Sequence, residues 1–327
     1  MIGCYVTGIL PRPKELIEAT RGYVQSRTTE ETLKKAFEDA TSKVVDAQLS
    51  DRFDYVSDGM LEWQDMLRPF ATGLEGVKTG SLARWFNNNT FYREPAIVGE
   101  IQRKKKIVEE VTHIENLPSN VPWKAILPAP YTFTQLSHDV FYNNKIEFMF
   151  KYAEILREEI TSLAKIGFKY VQLSDPALVY QPISKNLERY ELNDVSEALK
   201  VAVEGISVKT CLQTFFGDFS QILPEAIDFP VDHLGLDFYE TDPEKLKEYS
   251  FRRGVALGLV DSRNSLIEKP DKLVPVAEEI IESIYQSTIK EVFICPNCDL
   301  EFLPWKRAKE KMRVIGTVAS YLRGEFS

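Results

Sequence analysis

Eight short apolar runs punctuate this chain from end to end, and longer amphipathic stretches fill the spaces between them. The runs are "CYVTGI" (4–9), "YVSDG" (55–59), "KAILPAP" (124–130), "KYVQLSD" (169–175), "VKTCLQTFF" (208–216), "HLGLDFY" (233–239), "VALGLVD" (255–261) and "EVFICPN" (291–297). Most carry few charges and place apolar residues on both faces, which suits strands covered on both sides of a parallel sheet. Parallel neighbours need a long crossover, normally a helix. "TTEETLKKAFEDATSKVVDAQLSD" supplies one, opening on Thr28 or Thr29 with acids in its first turn. "NKIEFMFKYAEILREEITSLAKIGF" repeats apolar residues at helical spacing and stops near Gly167. "DKLVPVAEEIIESIYQST" and "PWKRAKEKMRVIGTVASYLR" each follow a proline-bearing turn. Strand-then-helix units in this number predict α/β architecture, a single (β/α)8 TIM barrel over residues 1–327. An open doubly wound sheet is the rival, but no glycine fingerprint follows the first run.

One region breaks the alternation. "GVKTGSLARWFNNNTFYREPAIVGEIQRKKK" (76–106) has turn residues at Gly80 and Asn87 to Asn89 between short extended runs. It predicts a β-hairpin insertion after the second strand, folded toward the barrel mouth. The basic run Arg103 to Lys106 reads as a solvated turn.

Composition narrows the function classes. Apolar residues make up 44% and charged residues 27%, enough for a full-sized core. The net charge of −9 argues against duplex nucleic acid, which needs a basic face. Small molecules or another protein are the expected partners. The first residues lack a basic n-region and a cleavage pattern, so they read as a strand and not as a signal peptide. No apolar stretch approaches the roughly 20 residues of a membrane helix. Four cysteines without a disulfide-dense pattern point to a reducing, cytoplasmic setting.

In a barrel, function lives at the C-terminal ends of the strands. Those ends carry Thr7-Gly8, Asp58-Gly59, Pro128 to Thr132, Ser174-Asp175, Gln213-Thr214, Asp237, Asp261-Ser262-Arg263 and Asn297-Cys298. Four carboxylates on one rim call for cationic or hydrogen-bonded partners. Arg263, Lys14, Arg12 and Arg84 are the nearest candidates. For Asp58, Asp175 and Asp237 two readings stay open: contact with a ligand, or a structural ring that ties loops to the barrel. "CPNC" (295–298) offers two thiolates at zinc-knuckle spacing, but no second pair exists and Cys295 lies one layer below the rim. None of the three histidines pairs with a cysteine or acid at ligand spacing. "RWFNNNTFYREP" (84–95) mixes aromatics, amides and arginines, suited to a flat polar ring or to packing on the rim.

Taken together these segments resemble cobalamin-independent methionine synthase. "LPRPKELIEATRGYV" is similar to that family's opening segment and "RWFNNNTFYREP" to a hairpin of its N-terminal barrel. "VQLSDPALV", "LQTFFGDF" and "LGLVDSRN" are similar to its motifs at successive strand ends. The family's chain carries two related barrels, and the motifs here look most like the N-terminal one in a stand-alone form.

The resemblance implies a methyl-pterin donor of the methyltetrahydrofolate type, homocysteine as acceptor, and zinc in the catalytic barrel. The zinc-binding His-x-Cys pair of that barrel matches Gln213 and Phe215 here. Its glutamate ligand matches Asp237 and its last cysteine matches Cys298. The acids that hold the homocysteine amino group match Met60 and Ser174. Cys298 and Asp237 are therefore the remaining metal candidates, and no zinc is expected in this chain. Lys14 and Arg84 match basic residues of the family, while Ile17 stands where it has a lysine. Substrate contacts are expected at Lys14, Arg84, Asp58, Asp175, Gln213 and Asp237. The expected role is methyl transfer in methionine biosynthesis, beside a separate catalytic-barrel protein. The alternatives are an independent thiol or methyl-transfer enzyme using Cys298, Asp175 and Asp237, and a non-catalytic interaction protein.

Overall fold

The structure is a computed structural model and describes residues 1–185, 187–284 and 291–326. Its strands are β1 (Ile2–Cys4), β2 (Leu74–Arg84), β3 (Phe91–Arg103), β4 (Trp123–Pro128), β5 (His138–Asp139), β6 (Phe168–Ser174), β7 (Lys209–Gln213), β8 (His233–Asp237), β9 (Gly254–Val260) and β10 (Val292–Pro296). Seven form one parallel sheet in the order β1-β10-β9-β8-β7-β6-β4. Its helical layer includes α1 (Lys14–Val24), α2 (Glu30–Ser50), α3 (Arg68–Gly73), α4 (Ile107–Glu110), α5 (Pro130–Gln135) and α6 (Lys145–Ile166). It continues with α7 (Gln181–Ser184), α8 (Arg189–Val203), α9 (Pro270–Ile284) and α10 (Trp305–Phe326).

The second expected strand, 55–59, is corrected: only Val56 forms a bridge, parallel to Trp123. The cause lies in what takes the backbone groups. The Asp54 amide donates to the Cys4 carbonyl at 3.0 Å, but the Cys4 amide is taken by the Asp54 side chain at 2.7 Å, not by a carbonyl. On the other side the Val56 amide reaches Pro122 O at 3.0 Å and the Lys124 amide reaches Val56 O at 2.8 Å. Residues 54–56 thus bond both edges of the sheet, which curls so that they meet. The first strand is also shorter than expected and ends at Cys4.

The helix signals hold where they can be read. Thr29 caps α2 by accepting the Thr32 amide. Asn144 caps α6, which ends on Gly167 at φ 122°, a conformation that favours glycine. The last four residues of the expected helix "DKLVPVAEEIIESIYQST" lie outside the described residues. Outward strand faces pack on the helices. Inward faces form a separate cluster of Tyr5, Tyr170, Cys211, Ala256, Phe293 and Cys295.

The insertion is an antiparallel ribbon of β2 and β3, extended by the short parallel β5. The solvated reading of its basic run fails at Arg103. This guanidinium pairs with the buried Glu159 of α6 and donates to Ser162 Oγ at 2.8 Å. Glu159 also accepts the amides of Ile107 and Val108 at 3.0 and 3.1 Å. Lys104, Lys105 and Lys106 pair with surface glutamates as expected. Glu159→Ala would strand a guanidinium and two amides, so a loss of about 3 kcal/mol is expected in urea unfolding. A change within about 0.5 kcal/mol, the range of ordinary surface changes, would show that the ribbon is anchored elsewhere.

Candidate functional site

The strand ends converge on polar groups whose hydrogen-bonding capacity is not used up. Asp58 Oδ2, Asp175 Oδ2, Gln213 Oε1 and Asn297 Nδ2 are all buried and without a hydrogen-bond partner. Buried polar atoms are nearly always paired, so four orphans around one rim mark a place built to meet something else.

Each is held from its own strand. Asp175, just past β6, accepts the Thr132 amide at 2.9 Å and its hydroxyl at 2.6 Å through Oδ1, which ties it to α5. Burial pushes its carboxyl up to about 7. Gln213 ends β7, and its amide lies across Gly235, where a Cβ would stand 2.0 Å from Oε1. Asp58 Oδ1 accepts the Met60 amide at 3.0 Å. Asn297 Oδ1 accepts the Ser262 amide at 2.9 Å.

Asp237 at the end of β8 is clamped by backbone. Its Oδ2 accepts the Phe216 amide at 3.2 Å and its Oδ1 the Tyr239 amide at 3.0 Å. Burial raises its carboxyl to about 6, against those amides and the Arg263 charge. Phe216 holds φ 68°, the left-handed region a phenylalanine rarely takes. Phe86 and Met60 share that strain at 49° and 55°. Phe86 and Phe216 also meet at 5.5 Å between ring centroids, so two of the left-handed residues touch at the mouth. Arg263 lies 5.9 Å over the Phe216 ring and pairs with Glu240 at 2.8 Å. Asp261 accepts the Arg263 amide.

Beneath this rim runs a network the sequence did not reveal. Lys124, fully buried on β4, donates to Val6 O and Gln172 Oε1 at 2.7 Å each and stands 3.3 Å over the Tyr5 ring. Burial lowers its ammonium to about 7. Gln172 passes the contact upward, donating to Thr7 O at 2.5 Å and Ser174 Oγ at 2.9 Å.

Other expected contacts lie apart. Lys14 opens α1 with its side chain 84% exposed and pairs with Glu18. Arg84 is exposed at the end of β2. Arg12 donates to Leu61 O and Trp63 O. His113 pairs with Glu62 at 3.1 Å, and His233 with Glu291 at 2.8 Å at the opposite end of the sheet.

The donors present do not fit zinc. Phe215, at one position the resemblance matches to a ligand, is fully buried and packs edge-on against Phe216. Asp237 spends both oxygens on amides. Burial pushes the Cys298 thiol well above its ordinary value. Among the described residues no three His, Cys, Asp or Glu side chains gather closely enough to hold a metal ion.

Residues 4–321 match the family of the cobalamin-independent synthase catalytic domain. The methionine synthase of Saccharolobus solfataricus is 29% identical over 94% of this chain and 90% of its own. That of Saccharolobus islandicus is 30% identical over the same shares. Among solved structures, a B12-independent methionine synthase from Shewanella sp. W3-18-1, in complex with selenomethionine, superimposes with a TM-score of 0.80 at 20% identity. That match covers 99% of this chain and 98% of the other. One from Listeria monocytogenes gives 0.76 at 17%, over 98% and 99%. The resemblance to the N-terminal barrel is corrected by the first match. The hairpin "RWFNNNTFYREP" and the motifs at the strand ends pointed to that barrel, yet residues 4–321 match the catalytic type.

Two outcomes follow from this geometry. Gln213→His/Phe215→Cys adds two donors beside Asp237 and Cys298. This variant should keep about one zinc per chain after dialysis, by elemental analysis, while wild type keeps only traces. Stoichiometric zinc in wild type, removed by Cys298→Ser, would reject the reading. Asp175 stands at about 7 in the fold against about 3.9 in an unfolded chain. Its stabilising effect is complete below about pH 4 and is lost as pH rises through about 7. Relative to Asp175→Asn, wild type should lose up to about 4 kcal/mol between these values. A difference independent of pH would mean the carboxyl is solvated.

Proposed function

The chain belongs to the cobalamin-independent synthase catalytic-domain family, and from that premise we propose that it takes part in methyl transfer to homocysteine in methionine synthesis. The donor in this reading is a methyl-pterin of the methyltetrahydrofolate type. The family match and relatives named methionine synthase support the reaction. One observation carries the finer point: at the end of β7, Gln213 and Phe215 stand near Asp237 and Cys298, so two of the four donors that a tetrahedral zinc site needs are missing. A thiol needs help to become a thiolate at neutral pH. Nothing at this strand end supplies it, so thiol activation comes from a second chain of the family, and this bowl binds and orients.

An enzyme acting alone through Cys298 is the weaker reading. That thiol is buried and held protonated, which removes its nucleophilicity. A pure interaction protein would have no use for four orphaned polar atoms at its rim.

The test is methionine formation from 5-methyltetrahydrofolate and L-homocysteine. The isolated chain should give no turnover, and adding it to a zinc-bearing family member from the same genome should raise that protein's rate. Turnover by the isolated chain would reject the division of labour. Failure to bind L-homocysteine or to change the partner's rate would reject the reading as a whole.

A further inference from the structure

One buried cation has no part in the chemistry proposed so far. Lys124 is only 1% exposed, and its ammonium is surrounded by the Tyr5 and Tyr170 rings and the Cys211 and Cys295 thiols. Among the described residues no carboxylate pairs with it. An ammonium without a counter-charge is costly to bury unless its hydrogen bonds are well made. Here they are. Two reach the oxygens of Val6 and Gln172 at 2.7 Å each, and the Tyr5 ring faces the charge at 3.3 Å.

That cation fixes the polarity of the groups above it. An ammonium only donates, so the Gln172 atom that faces it is the carbonyl oxygen. The amide nitrogen of Gln172 is turned the other way, where its two N–H groups reach Thr7 O at 2.5 Å and Ser174 Oγ at 2.9 Å. A hydroxyl has one hydrogen and two lone pairs. Since Ser174 Oγ accepts from Gln172, its own hydrogen is left to donate, and no acceptor among the described residues takes it. Ser174 is 1% exposed, so this hydrogen is kept from water as well. The pairing register sets Ser174 beside Gln213 on β7, and partners in register face the same side of a sheet. Gln213 Oε1 is buried and also without a partner. A free donor and a free acceptor thus stand side by side on the floor of the bowl and do not satisfy each other.

We propose that the Ser174 hydroxyl is the hydrogen-bond donor of the bowl, taking a carbonyl-type oxygen of the ligand, and that Lys124 is the positioning residue that holds it in this role through Gln172. An uncharged donor therefore stands where a carboxylate would hold an ammonium. Two sources share the chemistry of that oxygen, the carboxylate of an amino-acid acceptor and the ring carbonyl of a methyl-pterin. Both belong to the methyl transfer proposed above, and to that extent the choice between them rests on that reading.

The experiment is a titration of the 15N-labelled full chain by TROSY NMR, with Kd read from the shifts. The probes are L-homocysteine, 5-methyltetrahydrofolate and the fragment 2-pyrrolidone, with pyrrolidine hydrochloride as the same ring without the oxygen. Saturable shifts of the Ser174 amide and the Gln172 side-chain amide are expected with 2-pyrrolidone and at least one substrate, and not with pyrrolidine. Ser174→Ala should weaken that binding about fivefold to tenfold, as the loss of one hydrogen bond does. Lys124→Met should weaken it about threefold or more in wild type and less than about twofold in Ser174→Ala, because its effect passes through that hydroxyl. A lysine that served only the core would cost the same in both backgrounds. A loss confined to L-homocysteine identifies the carboxylate, and one confined to 5-methyltetrahydrofolate the ring carbonyl. The wild-type shifts decide where a variant does not fold, and their absence at Ser174 and Gln172 would overturn the assignment. Equal costs of Lys124→Met in the two backgrounds would overturn the role of Lys124. Substrate binding untouched by Ser174→Ala would sink the donor and leave methyl transfer standing. 2-Pyrrolidone held at Ser174 with neither substrate bound would keep the donor and sink that reading.

Discussion

Seven parallel strands leave two open edges, and an open edge is a row of unpaired amides and carbonyls. Here both edges spend theirs on one short segment, residues 54–56. Asp54 does the work of a strand with a side chain: its carboxylate takes the Cys4 amide while its own amide takes the Cys4 carbonyl. Arg323 from α10 holds that carboxylate in turn and donates to Ile2 O at 2.9 Å. With the edges joined in this way the sheet curls. The curl brings the ends of β6, β7, β8 and β10 round a common bowl.

What fills the bowl follows from burial. Carboxyls set in an apolar wall resist ionising unless something pays back the lost hydration. Asp237 receives two amides and still rises to about 6, while Asp175 receives the amide and hydroxyl of Thr132 and rises to about 7. The left-handed backbone at Phe216 is the device that aims an amide at Asp237. Its ring turns outward to meet Phe86 and Arg263. A phenylalanine in that conformation costs of order 1 kcal/mol or more. The carboxylate it positions is a reason to carry that cost.

Much of the frame was legible from the order of residues. Seven of eight expected strands exist because their β-branched runs suit a sheet covered on both faces. The cap at Thr29 and the stop at Gly167 follow from local chemistry alone. The eighth strand was not legible, since "YVSDG" has the apolar start of a strand but not the side-chain substitution at Asp54. Arg103 was misread because four basic residues in a row look solvated, and only the fold brings Glu159 under the first of them. Among the buried polar groups at the mouth, Asp175, Gln213 and Asp237 were visible as strand ends, while Asp58 follows a segment that makes only a bridge. Lys124 and Gln172 were hidden inside a run that reads as plain core. The barrel type was misassigned because the two barrels are related, and short motifs such as "RWFNNNTFYREP" weighed more in the reading than the chain as a whole, which matches the catalytic type over residues 4–321.

The donor set at the rim limits what it can hold. A tetrahedral metal site needs soft or basic donors aimed at one point. At this mouth stand an amide, an aromatic ring, a buried thiol and carboxyls that accept backbone hydrogens. Dispersed acceptors of that kind cannot share an ion. They select instead for organic groups that bring their own donors, because each unpaired oxygen costs free energy until an N–H or O–H reaches it. Asp58 Oδ2, Asp175 Oδ2 and Gln213 Oε1 are the acceptors left open here.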